Sequence, residues 1–167
     1  MTINSTISTG LEKLGYGGPA GCIAVGQHRQ VIGEAVATRQ LEAYESGALC
    51  LLDRAAGVVY TLPTPVVGMY FEFLVSVAVT SNAHKVITKA ATQFLLGGII
   101  MGDVTVAQSG DYFEANGTTI VALSADGATT GGLLGARYKV TAISATQWVI
   151  EGVCHGAGTL ATPFATS

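Results

Sequence analysis

Three histidines, three cysteines and eleven acidic side chains are the groups from which this chain of 167 residues would have to build a reactive site. The histidines are His28, His84 and His155. None has a second histidine or a cysteine at metal-ligand spacing. His155 follows Cys154 directly, and neighbours on a strand face opposite ways. Turn or surface histidines are therefore expected, with His84 in the turn 81–84. Cys22, Cys50 and Cys154 are far apart and form no Cys-x-x-Cys pair, which excludes a zinc ribbon. Their odd number fits reduced thiols in a protein assembled in a cytosol. Cys50 and Cys154 lie in strand-like contexts, where a thiol acts as a small apolar group. No Gly-x-Ser-x-Gly elbow is present, although a Ser-His-Asp set arranged through space stays open.

The carboxylates are equally scattered. Glu42 and Glu45 are close, but on a segment that reads as solvated. Asp103, Asp111 and Asp126 fall in separate loops and lack the spacing of an EF-hand. The glycine-rich run 131–135 has no Lys-Ser/Thr after it, so it reads as a turn and not as a phosphate loop. Trp148, Tyr70, Tyr138 and Phe113 would suit a sugar-stacking platform, but aromatic residues fill sheet faces routinely, and packing is the expectation. No catalysis, metal or cofactor is expected.

Charged residues make up 11% of the chain and apolar ones 49%, against about 25% charged in an average soluble domain. So little charge predicts apolar surface that meets other subunits. The net charge is −3 with no basic run, which argues against nucleic acid. The apolar stretch 95–101 is far too short to span a membrane. The N-terminus has no basic start followed by an apolar run, so no secretory signal is expected.

Twenty-two glycines with many threonines suit strands and turns. Residues 46–88 organise the rest. In 69–79, Met69, Phe71, Phe73, Val75, Val77 and Val79 alternate with Tyr70, Glu72, Leu74, Ser76 and Ala78. Period two gives one apolar wall for a core, and it leaves Tyr70, Glu72 and Leu74 on the opposite face for a neighbouring subunit. Residues 48–52 and 58–62 read as a hairpin around the turn 53–57, with Gly57 available for positive φ. Residues 94–101 read as a strand with a bulge or as a buried loop. Asn116-Gly117 is the strongest two-residue hairpin signal. Residues 136–143 and 147–154 alternate around Tyr138, Val140, Trp148 and Ile150 and predict an antiparallel hairpin. Short strands at close spacing predict an all-β, antiparallel β-sandwich or jelly-roll-like body over 38–167. Residues 1–37 read as an extended, glycine-rich N-terminal arm, with Ile3, Ile7, Leu11, Leu14, Ile23 and Val25 as its docking side chains.

Several of these segments carry a resemblance. They are Ser46-Gly47, the turn 53–57, Thr61-Leu62-Pro63, Gly68-x-x-Phe71-x-Phe73, the polar turn continuing to Ile87, Gly131-Gly132 on to Tyr138, and Gln147-Trp148-x-x-x-Gly152. Over residues 38–156 the chain resembles a family of small structural proteins of tailed bacteriophages, many of them head decoration (cement) proteins. The resemblance implies a β-sandwich body that self-associates, often as a homotrimer. It also implies the major capsid protein as partner, the virion exterior as location, and a bridging patch or arm, here the residues named above. A receptor- or glycan-binding tail or fibre module, stacking sugars on Trp148 or Tyr112, is the alternative on the same body. A small hydrolase is a more distant one.

Overall fold

The computed structural model describes residues 28–167. Ile3, Ile7, Leu11, Leu14, Ile23 and Val25 of the expected arm, and Cys22, lie outside the described residues. The arm and the body meet earlier than residue 38. Strand β1 (Val31–Ile32) already pairs with β3 (Leu49–Leu52), and Ile32 is part of the core.

The chain then winds between two sheets. After β1 and before β3 comes β2 (Thr38–Gln40). Next are β4 (Val59–Thr61), β5 (Tyr70–Val75) and β6 (His84–Ile87). Odd strands enter one sheet and even strands the other. Each strand therefore returns to its own sheet in the same direction, and β1–β3–β5 and β2–β4–β6 are parallel sets. The second half adds β7 (Phe94–Asp103), β8 (Gly110–Asn116), β9 (Ala122–Ala125), β10 (Arg137–Ala142), β11 (Gln147–Gly156) and β12 (Phe164–Ala165). The result is an all-β sandwich. Its seven-stranded sheet runs β1-β3-β5-β10-β11-β7-β8, and its five-stranded sheet runs β12-β9-β6-β4-β2.

The expected antiparallel pairing needs correction, because both sheets are mixed. The turn 53–57 does not close a hairpin. It carries the chain across the sandwich from β3 to β4, with Gly57 at φ 86° and its N–H donating to the Arg54 carbonyl at 2.9 Å. Asn116-Gly117 likewise joins β8 to β9 in the other sheet. The Asn116 Oδ1 accepts the Thr118 and Thr119 N–H groups at 3.0 Å each and holds the turn. Residues 94–101 are strand, within β7, which runs parallel to β11 over ten pairs. The hairpin β10–β11 forms as its alternation predicts, with Tyr138 opposite Gly152 and Val140 opposite Ile150.

The core lies between the sheets. Phe71, Phe73, Tyr138, Val140, Trp148, Ile150, Leu95 and Ile99 come from the large sheet, and Tyr60, Val86, Leu123 and Phe164 from the small one. The Tyr60 and Phe73 rings meet across the gap at 5.7 Å, and Phe71 and Trp148 meet at 6.2 Å within the large sheet. In β5 the apolar wall holds through Val75. Beyond it, the Ser76 and Val77 N–H groups both donate to the Leu52 carbonyl, the strand ends, and Val77 is turned out.

Candidate interaction surface

Several of the side chains with chemistry to offer are occupied by the fold. His84 is not in a turn: it opens β6 and is buried. Its Nδ1 accepts the Val58 N–H at 3.2 Å. Nδ1 therefore carries no proton, and Nε2 donates to the Val77 carbonyl at 2.9 Å. Burial lowers its pKa, against the pull of that carbonyl. Glu45 is likewise not solvated but buried, 2.6 Å from the Arg39 guanidinium, and it accepts the Glu42 N–H at 2.8 Å. These charge-assisted hydrogen bonds tie the side chain to its own segment.

Asp126 caps its own turn by accepting the Ala128 and Thr130 N–H groups, which hold its carboxyl below the usual range against the opposing effect of burial. Asp103 does the same for Thr105, whose hydroxyl and N–H lower its pKa. No group of three His, Cys, Asp or Glu that would hold a metal occurs among the described residues. Burial pushes the thiols of Cys50 and Cys154 up, to about 12 and about 11, so neither is a ready nucleophile. Trp148 and Tyr138 are buried and unavailable for stacking, whereas Tyr112 is 63% exposed. No helix among the described residues is long and apolar enough to cross a membrane.

Among the described residues, the outer face of the seven-stranded sheet is uncovered. Strand pairing aligns its outward side chains in rows. One row reads Leu51, Leu74, Arg137, Val153, Ile100, Tyr112 from β3 to β8. The next reads Leu49, Glu72, Lys139, Glu151, Gly98, Glu114. A third carries Tyr70, Thr141, Val149 and Leu96. Period two therefore places Tyr70, Glu72 and Leu74 together on this face, as their alternation predicts, with Tyr70 exposed and the other two half-buried. The Tyr112 ring lies over Gly98, in the space a Cβ there would need.

In the second row Glu72 and Glu151 have cationic partners, and Glu114 has none among the described residues. Arg29 lies 2.7 Å from Glu72, and Lys139 lies 3.3 Å from Glu151 and 5.8 Å from the centre of the Tyr70 ring. Between these rows runs a groove of about 420 Å³ lined by Arg29, Leu49, Glu72, Leu74, Arg137 and Val153 among others. Ile100 and Tyr112 escape a reading of single strands, and their membership follows only from the β7–β11 and β7–β8 registers, whereas the alternation of 147–154 marks Val153 as facing away from Cys154. Sheet faces of this kind bind by shape and desolvation, and large apolar patches on soluble domains mark contact sites.

No protein-family model, no curated protein and no solved structure matches the chain.

Proposed function

We propose that this chain is a head decoration protein of a tailed bacteriophage. It binds the outer surface of the icosahedral shell as a homo-oligomer, a homotrimer in the family it resembles, and stabilises the shell. The major capsid protein is its partner and the exterior of the virion its location. The observation that carries this reading is the outer face of the large sheet, where apolar and charged side chains lie in registered rows over the sandwich. Tyr70, Glu72 and Leu74, with Ile100 and Tyr112, are the subunit contacts in this reading. The segment with Ile3, Ile7, Leu11, Leu14, Ile23 and Val25 is the shell contact in this reading. Decoration needs no reaction, only a body that binds the assembled lattice better than its separate subunits. Binding of that kind stabilises the lattice by mass action.

The test is to mix the purified protein with undecorated shells of the capsid protein from the same virus. Saturable binding, with a higher melting temperature of the decorated shell, is expected. Shells that take up no protein at any concentration, and melt unchanged, would overturn the proposal.

A further inference from the structure

Asn116 ends β8, and Asn116-Gly117 is the one Asn-Gly pair in the sequence. Such a pair carries a reaction of its own. Glycine has no Cβ to fend off the preceding side chain, so its backbone nitrogen can reach the asparagine Cγ. Around Asn116 the fold prepares one half of that reaction and blocks the other.

The prepared half is the side-chain carbonyl. Asn116 Oδ1 accepts the Thr118 and Thr119 N–H groups at 3.0 Å each and the Ile120 N–H at 3.4 Å. Donors converging on one oxygen stabilise the negative charge that develops there when its carbon is attacked. Nδ2, the leaving group, donates to the Thr119 hydroxyl at 2.7 Å. The blocked half is the nucleophile. Asn116 is exposed, but Gly117 is buried. The Gly117 N–H donates to the Leu95 carbonyl at 2.8 Å, and its carbonyl accepts from Gln147 Nε2 at 3.2 Å. Solvent cannot take the proton from this nitrogen until the turn lifts off β7 and β11.

We propose that Asn116 is a deamidation site, that the hold of Leu95 and Gln147 on Gly117 sets its rate, and that the reaction adds a carboxylate to the outer face of the large sheet. When the turn opens, the Gly117 nitrogen loses its proton and attacks Asn116 Cγ. A C–N bond forms and closes a five-membered imide. The Cγ–Nδ2 bond breaks, and Nδ2 takes up a proton and leaves as ammonia. Water then opens the imide to an aspartate or an isoaspartate at position 116. Water is the only co-reactant. Asn116 lies beside Leu96 in the third row, on the same side of β8 as Glu114. Glu114 has no cation among the described residues, so the product sets two unpaired carboxylates near each other. Uncompensated charge of one sign on a contact surface opposes association. That last consequence alone rests on the outer face being a subunit contact.

The test follows the purified full chain at neutral pH by peptide mass mapping, with isoaspartate assayed alongside. Folded protein should deamidate at Asn116 at least about tenfold more slowly than the same chain in urea, as for a group released only by local opening. Gln147→Ala should raise the folded rate about fivefold, the weight of one hydrogen bond. Gly57→Ala, at the opposite end of the strands, should leave the rate unchanged although it weakens the whole fold. Equal rates in the folded chain and in urea would overturn the proposal. So would a rise with Gly57→Ala as large as that with Gln147→Ala, which would assign the reaction to global unfolding. Asn116→Asp, the product made directly, should lower the assembled mass in light scattering at a fixed concentration, and an assembled mass indifferent to it would remove the effect on association. The rates are read whether or not the chain assembles, so they stand or fall apart from the decoration test.

Discussion

On its outer side the five-stranded sheet carries the polar Thr38, Gln40, Thr61, Lys85 and Ser124, one of them charged, with the apolar Val59 and Ile87 among them. The seven-stranded sheet carries Leu49, Leu51, Tyr70, Leu74, Val149, Val153, Leu96, Ile100 and Tyr112, interleaved with Glu72, Glu114, Arg137, Lys139, Thr141 and Glu151. Both sheets turn an apolar inner side to one shared core, so folding alone does not require this difference. A sheet that only closes a sandwich can face water with threonine and serine. A sheet whose outer side is set with leucine, valine, isoleucine and tyrosine in register has area to bury elsewhere.

The difference is sharpest where one sheet is probed on its two sides. Trp148→Ala empties a fully buried site against Phe71 and is expected to cost about 4 kcal/mol in urea unfolding. Leu74→Ala, on the outer side of β5, should cost the isolated chain less than about 1 kcal/mol. Similar losses for the two would break the distinction between a folding side and a contact side. Next in size is the crossing that keeps β3 and β4 in separate sheets. At Gly57 a Cβ would meet the Ala83 carbonyl oxygen, and φ is 86°. Gly57→Ala should therefore lower stability by about 2 kcal/mol, by the same unfolding measurement.

A smaller effect belongs to His84, which enters the five-stranded sheet as a neutral donor and acceptor. Its folded pKa is lowered by burial, so below its ordinary value of 6.5 the unfolded chain takes up a proton that the folded chain resists. Stability from this group is complete above that pH and is lost as pH falls. The slope is at most about 1.4 kcal/mol per pH unit. Stability followed from about pH 7 to 5.5 should show that decline, and His84→Asn should flatten it. The smallest change is Glu151→Gln, which removes an exposed ion pair with Lys139. It should shift stability by no more than about 0.5 kcal/mol.

Much of this was legible in the sequence at the level of single strands. Alternation in 69–75 and in the β10–β11 hairpin separates Phe71, Phe73, Val140, Trp148 and Ile150 from the residues that face out. Partnership was not legible. Asp53 to Gly57 and Asn116-Gly117 have the composition of hairpin turns, and a turn's residues do not say whether the chain folds back within a sheet or crosses to the other one. Period two assigns each residue a face but names no neighbour. Ile100 and Tyr112 therefore join Leu74 only once β7 lies between β11 and β8. The buried roles of His84 and Glu45 were hidden for a related reason. Val58, Val77 and Arg39 satisfy them from other segments, and polar composition around them imitates a solvated turn.

The most direct test of the outer face of the large sheet as an assembly surface is the mass of the purified protein by light scattering, with and without Ile100→Asp and Tyr112→Ser. The wild-type chain should weigh a multiple of 17.0 kDa, three times it if the oligomer is a trimer, and the double variant 17.0 kDa with its core intact. A wild-type mass of 17.0 kDa, or an oligomer indifferent to both substitutions, would contradict it.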